Sequence, residues 1–563
     1  MLADLDLALK QPLTLIEKLY VEGGSTLDGF ELRVEETFRS LVQDARDQLP
    51  AITALTDPAR LPRPGSLVRF RAMVQDTGYG SELYRALGTR NQLLMYGIEE
   101  AEEGSNASAH EDYSKLRERQ LFYIVSPPGE TDWVKQSLDN ASNQDLEAGL
   151  SRLSLSSSTP PNTSRMEAQK DKAPLPHEPH FGLIAKFYTD FADKLRSTDV
   201  YEFVGIIGET PLSNAFEVFE NGQDSTPAQV VPALHVLYTL SPTVPVQPTM
   251  VPESTEFERT RQELLSYIAH EGTQGDLEAA EWVLLALIAR IHTRHATGLA
   301  LGSLSVNLSF PIGAASASTG PDPLTRVLST LVPALASISP TITSLNDPST
   351  RFSPRSRDET LDAGQLQLPR GTNVVLDLQQ LGEGKLNDTG VRNLRSLSTT
   401  IAQQKLAYEF PFSSFELETD LGFVVVSEGK AIVPTDCVIY VEPSPTSVSA
   451  SLPTESRLNE FRALLYSLKH SDFKIPEHMS SVIQADFVER RQNSHAGPGT
   501  AMTQEDLLFR MTVSRLVALS WGKKELDEIS WSQTAVLDER RKERIPEIVI
   551  QREEELKRNR SNA

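Results

Sequence analysis

A single cysteine, Cys437, in 563 residues leaves no intramolecular disulfide and no thiolate zinc cluster to build on. The sequence contains no run of about 18 apolar residues, which argues against a helix crossing a membrane. Base is in short supply: 54 lysines and arginines against 77 aspartates and glutamates give a net charge of −23. A chain that acidic repels phosphate backbones on average, so protein partners are expected and direct nucleic-acid binding is not. The opening Met1-Leu-Ala-Asp-Leu-Asp has no basic flank of the kind that precedes a signal peptide. No fixed-period repeat is present, which argues against a solenoid. Together these absences point to the cytosol or nucleus.

What is present divides into stretches of different texture. At this length several domains are expected. Residues 1–149 read as helices followed by a small β region. Leu15, Ile16, Leu19 and Tyr20, then Phe38, Leu41 and Val42, recur at helical spacing, whereas Val68, Phe70, Ala72 and Val74 alternate with Arg69 and Arg71 as in a half-buried strand. Residues 150–179, rich in Ser, Pro, Thr and Asn, read as a flexible linker. Short strand-like runs with glycine turns over 180–250 suggest an OB-like β-barrel. Single-stranded DNA binding by such a barrel needs a basic groove with exposed aromatics. Here Lys186, Lys194 and Arg196 are interleaved with Asp190, Asp193, Asp199, Glu202 and Glu209, so Phe187, Tyr188, Tyr201 and Phe203 are assigned to a core.

Residues 251–445 carry the most pattern. Helical spacing over 256–297 leads to the strand Leu304-Ser-Val-Asn-Leu-Ser-Phe-Pro and then to a helix from Leu324 to about Leu335. His292 and His295 lack a third ligand nearby and are not read as a metal site. From Leu368 the chain runs Leu-Pro-Arg-Gly-Thr-Asn into Val374-Val375-Leu376-Asp377, a strand buried on both faces with a carboxylate at its end. A helix with Val391, Leu394, Leu397 and Ile401 follows, then a hairpin over 406–419, then the strand Leu421-Gly-Phe-Val-Val-Val with Ser427-Glu428 at its tip. Residues 446–538 are helical, with Thr503 as an N-cap, and 539–563 form a charged tail containing Arg540, Arg541, Lys542 and Arg544. A nuclear-import role is a weak reading of that basic cluster.

The order strand with terminal acid, helix, hairpin, strand with polar tip resembles the second half of the AAA+ core of replicative helicases. The wording is more particular. Gly371-Thr-Asn-Val-Val-Leu-Asp, Leu386-Asn-Asp-Thr-Gly-Val, Gln404-Lys-Leu-Ala-Tyr-Glu-Phe and Val426-Ser-Glu-Gly-Lys with Pro434-Thr-Asp-Cys resemble the minichromosome-maintenance (MCM) complex-binding protein family, in a fungal-type form with longer inserts. So do Leu67 to Asp76, Glu118-Arg-Gln-Leu-Phe-Tyr, Phe487-Val-Glu-Arg-Arg and Asp506-Leu-Leu-Phe-Arg-Met-Thr-Val-Ser-Arg-Leu, so the likeness spans much of the chain. It implies a multidomain α/β plus β protein: N-terminal helices and a small β-domain, an OB-like β-barrel, a degenerate AAA+-like α/β core and a C-terminal helical lid. It also implies a nuclear protein that binds MCM helicase subunits, controls their assembly, stability or unloading from chromatin, and is linked through them to sister-chromatid cohesion and the cell cycle.

The residues agree with a core that has lost its chemistry. An active phosphate loop is G-x-x-x-x-G-K-[ST]. Here the turn is Ile312-Gly-Ala-Ala-Ser-Ala-Ser-Thr-Gly-Pro-Asp-Pro, without lysine or arginine until Arg326. Leu378 follows Asp377 where a second carboxylate would polarise water, and Ser427-Glu428 stands where asparagine is usual. Arg351, Arg355 and Arg357 sit in a polar stretch and none is assigned as an arginine finger. Phosphoryl transfer needs the whole electrostatic set. No catalytic, cofactor-binding or metal-ligating residue is therefore assigned, and no cofactor is expected. Two other functions remain open at this point: an active ATPase with an unusual phosphate loop, and a single-stranded DNA-binding module built on the β-rich region.

Overall fold

The computed structural model describes residues 2–57, 60–88, 90–98, 113–137, 170–211, 230–241, 254–296, 298–311, 322–357, 360–444, 452–493 and 503–546. Most of the 150–179 linker, the 312–321 turn, the end of the tail and the side chain of Arg357 lie outside the described residues. The chain forms two compact units: residues 1–245 with 351–370 and 407–415, and residues 246–350 with 371–406 and 416–563.

The first unit opens with α1 (Leu2–Lys10), α2 (Pro12–Glu22) and α3 (Phe30–Val42). Phe30, Val34, Phe38 and Val42 fall on one face of α3 and bury it. Strands β1 (Ala51–Ile52), β2 (Leu67–Asp76), β3 (Ser81–Arg85), β4 (Leu116–Val125), β5 (Gly182–Phe187), β6 (Val200–Pro211) and β7 (Val230–Leu240) make one sheet in the order β1-β2-β6-β7-β5-β4-β3. A further pairing of β2 with β4 closes the five strands β2, β6, β7, β5 and β4 into a ring, in which β5 and β7 are parallel. This differs from the division made on sequence. The strands assigned to an N-terminal β region and those assigned to a barrel over 180–250 belong to the same sheet, because β2 pairs along its length with β6 and β4 with β5. Phe187 and Phe203 are in its core, with Tyr201 packed at the margin. The described end of the presumed linker is packed as well: Lys172, Ala173 and Leu175 are buried.

The second unit begins with α4 (Ser254–Gly272) and α5 (Leu277–Ile288), the latter capped by Asp276, whose side chain accepts from Glu278 N and Ala279 N. A short hairpin of β8 (Thr293–Arg294) and β9 (Ala300–Leu301) leads to β10 (Val306–Phe310), α6 (Pro323–Leu331), β11 (Leu335–Ile338) and α7 (Ile342–Asn346). The chain then contributes the hairpin β12 (Arg355–Arg357) and β13 (Thr360–Asp362) to the first unit and returns as β14 (Asn373–Asp377). After α8 (Asp388–Gln403) come the hairpin β15 (Lys405–Glu409) and β16 (Ser414–Glu418), then β17 (Gly422–Glu428) and β18 (Cys437–Tyr440).

Five of these strands form an all-parallel sheet in the order β11-β14-β17-β10-β18. Each of the three central strands is fully or nearly fully buried, as their Val- and Leu-rich runs require of a sheet covered on both faces. The helix expected to run to Leu335 stops at Leu331, and Leu335–Ile338 instead pairs as the edge strand β11. Helices α9 (Glu455–His470), α10 (Glu477–Asn493), α11 (Gln504–Ser520) and α12 (Glu528–Glu543) complete the unit. Residues from α4, α5, α9 and α11 share one core with the sheet, including Trp282, Phe461, Leu464 and Leu516. The fold is thus mixed α/β, built of several sheets and many helices. Among the described residues no helix is long and apolar enough to cross a membrane.

Candidate functional site

Parallel strands point their carboxyl ends the same way, and ligands of such sheets bind in the crevice outside those ends. In the second unit that edge gathers Phe310 at the end of β10, Asp377 at the end of β14 and Ser427 near the end of β17. Helix α6 starts nearby. Its N-cap is Asp322, whose Oδ2 accepts from Leu324 N at 3.0 Å and Thr325 N at 3.4 Å, with Pro323 preset in the first turn. A helix start with free amides is an anion site. Here two of its amides already face the chain's own carboxylate.

Asp377 is buried, and its Oδ1 accepts from Gln379 N at 3.0 Å, fixing the turn that follows β14. Burial first, and then the negative charge of Asp377, push the Asp322 carboxyl up to about 6. The two carboxylates therefore work against each other at this edge, where an active nucleotide site places cations. Asn307 on β10 is fully buried, opposite Val425 of β17. Ser427 Oγ lies 2.9 Å from Asn307 Oδ1 and 2.8 Å from Gly429 O. Asn307 Nδ2 and Thr325 Oγ1 are buried without a partner, so the polar groups of the edge are incompletely satisfied. The lysine-free turn itself, 312–321, is outside the described residues.

The other side chains weighed on sequence are dispersed. Within the first unit Arg351 pairs with Asp362 at 2.8 Å and Arg355 lies 4.0 Å from Glu409. His292 and His295 are exposed, and the described residues hold no cluster of three or more histidine, cysteine, aspartate or glutamate side chains placed to hold a metal. Cys437 is buried in β18, where burial pushes its thiol well above the usual range. The basic cluster of the tail is partly folded. Arg541 and Lys542 pair with Asp538, and Arg544 reaches Asp276 at 2.6 Å and Glu278 at 3.0 Å. Directly after β5, Tyr188 is engaged through its hydroxyl, 2.6 Å from His235 Nδ1 and accepting from Arg119 Nη1 at 2.9 Å.

Asp322 was not singled out on sequence, although the signal was there: Asp followed by Pro ahead of an apolar helical run is an N-cap with Pro in the first turn. Its approach to Asp377, 55 residues on in the chain, leaves no such trace.

The chain is similar to known proteins over nearly its whole length. The profile of the family described as mini-chromosome maintenance replisome factor matches residues 38–158 and 151–545. Relatives named mini-chromosome maintenance complex-binding protein include one from Rattus norvegicus, 28% identical and covering 95% of this chain and 97% of the relative. One from Salmo salar is 27% identical over 95% and 97%. One from Arabidopsis thaliana is 27% identical over 92% and 94%. With a family profile that covers both units, the chain belongs to the mini-chromosome maintenance replisome factor family.

Proposed function

We propose that this chain is a non-catalytic binding protein of the MCM helicase, one that associates with MCM subunits and governs their assembly, stability or unloading from chromatin in the nucleus. The relatives' name, MCM complex-binding protein, supports the partner. The strand order of the second unit supports a degenerate AAA+-like core. Of its five parallel strands the first in sequence, β10, lies between the fourth, β17, and the fifth, β18. The closed five-stranded ring of the first unit, with its one parallel pair, supports an OB-like barrel. A core with the strand order of the second unit can dock on helicase subunits without turning over ATP.

The observation that carries the non-catalytic reading is Asp322. A carboxylate caps the helix start at the sheet edge, within the field of Asp377, and both oppose a polyphosphate. An ATPase reading would need a cation there, and a single-stranded DNA reading would need a basic barrel groove. The barrel instead pairs Lys186 and Arg119 with Glu82.

The test is to purify the chain from its own cells at low salt and identify what accompanies it. Helicase subunits are expected in near-stoichiometric amounts. Their absence, or ATP hydrolysis by the isolated chain that Asp377→Asn abolishes, would overturn the proposal.

A further inference from the structure

Five arginines are buried among the described residues, and four of them face a carboxylate: Arg69 faces Glu202, Arg261 faces Glu281, Arg462 faces Glu455 and Arg510 faces Asp486. The fifth, Arg515 on α11, is 5% exposed and has none. Its Nε and Nη1 are fully buried and donate to nothing among the described residues. The ring of Phe473 lies 5.9 Å from its guanidinium carbon. A buried cation without a counter-charge is strongly destabilising, and a chain with a net charge of −23 has no shortage of acids to place there.

The surroundings are cationic too. Burial, and then the positive charge of Arg290, hold Arg515 down at about 10. Arg290 has its own Nε buried without an acceptor. After burial, the fields of Arg515 and Arg290 depress His292, and Arg290 also acts on Lys469 and His470. Among the described residues Asp420 is the one carboxylate whose charge acts on this group, through Lys469, and it already accepts from Ile291 N. Three basic side chains, Arg290, Lys469 and Arg515, thus stand against one described carboxylate.

Arg290, His292 and Arg515 meet at Gly302. Gly302 has φ +104°, and a Cβ on it would lie 2.6 Å from Arg290 O, 3.3 Å from His292 Nδ1 and 3.4 Å from Arg515 Nη1, so only glycine fits against this group. Gly302 is also in the wall of a cavity of about 950 Å³ that α11 and α12 help to line. His292 and His470 are exposed. Gly371 and Asp420, beside Lys469, precede β14 and β17, so this cluster lies at the amino ends of the parallel strands, opposite the Asp322–Asp377 edge. It is a different place from a nucleotide pocket.

We propose that Arg515, with Arg290 and His292 beside it, forms a binding site for a phosphate-type oxyanion, which the free guanidinium N–H groups of Arg515 hold by charge-assisted hydrogen bonds. A phosphate dianion matches the surplus of two positive charges better than a single carboxylate does. Free phosphate and phosphate carried on a serine or threonine side chain share this chemistry.

Thermal unfolding and calorimetry of the full chain test it, with sodium phosphate against sodium chloride at equal ionic strength. The midpoint of the parent should rise with phosphate and not with chloride. Arg515→Met should abolish that rise and leave the anion-free protein at least as stable as the parent, since it fills the space without the charge. Arg290→Gln, at a half-buried position, should weaken phosphate affinity at least tenfold. A phosphoserine peptide that binds more tightly than orthophosphate, while its unphosphorylated twin does not bind, assigns the phosphate to a protein side chain; equal affinity assigns it to the free ion. No phosphate-specific shift in the parent, or the same shift in both variants, would overturn the site.

Discussion

Lys172 anchors a part of the first unit that its own sequence neighbourhood does not announce. Its Nζ donates to Asp76 Oδ2 and to Leu361 O, each at 2.9 Å, and sits 5.1 Å from the ring centre of Tyr79. Asp76 Oδ2 also accepts from Leu361 N at 2.9 Å. The Lys172 side chain is 9% exposed and that of Asp76 2%. Replacing Lys172 by methionine leaves a buried carboxylate without its cation, so a loss of about 3–5 kcal/mol is expected in urea unfolding of the unit. A loss under about 1 kcal/mol would show that water already reaches Asp76. Sequence reasoning placed Lys172 in a linker because the stretch before it is Ser- and Pro-rich, and its partners lie 96 and 189 residues away. Asp322 makes the complementary case. Its carboxyl is raised to about 6 from an ordinary 3.8, so between those values the folded chain holds a proton that the unfolded chain has released. Stability conferred at this position therefore falls as pH rises from about 4 to 6, and the penalty is complete at pH 7. Asp322→Asn keeps the cap and removes the charge. Its melting midpoint should match or exceed the parent's at pH 7.5, with the advantage gone by pH 4. A variant less stable than the parent at both pH values would contradict this.

At the level of elements, Asp276 shows how ends are joined. One carboxylate oxygen caps α5 through Glu278 N at 3.0 Å and Ala279 N at 3.1 Å. The other accepts from Glu442 N at 2.9 Å, after β18, and from Arg544 at 2.6 Å, after α12. Asp276→Asn should preserve the cap and lose the ion pair. Asp276→Ala should lose both, at a cost of at least about 2 kcal/mol, and should speed amide exchange at the end of α12. Equal effects of the two substitutions would mean that the cap contributes nothing. The helices were largely readable because apolar spacing over three or four turns is a long signal: α9 and α11 were both expected, and the capping box of Thr503 with Asp506 is present. Edges were not readable. Leu335–Ile338 became strand rather than helix because β14 offers it a ladder, and four residues carry too little period to say so. Alternation in β2 was plain, yet nothing in it says that β6 will be its neighbour.

For the molecule as a whole, each unit has its own core, so each should report its own damage. Calorimetry of the full chain should resolve two transitions. Lys172→Met should lower one, and Leu376→Ala, which empties a fully buried position in β14 at a cost of about 2–5 kcal/mol, should lower the other. A single transition that both variants shift equally would mean that the units unfold together. Composition and order along the chain determined much on their own: a mixed α/β protein, acid in excess, the buried strands β10, β14 and β17 with helices between them, and a turn without the lysine that grips a triphosphate. Those are properties of local pattern and of charge count. Tertiary structure alone decided that β2 and β4 close a ring with strands more than 50 residues further on, that Asp322 faces Asp377, and that Arg515 is buried without an acid while every other buried arginine described has one. Each of these depends on groups brought together by burial rather than by spacing, and burial is a property of the folded chain that no window of sequence contains.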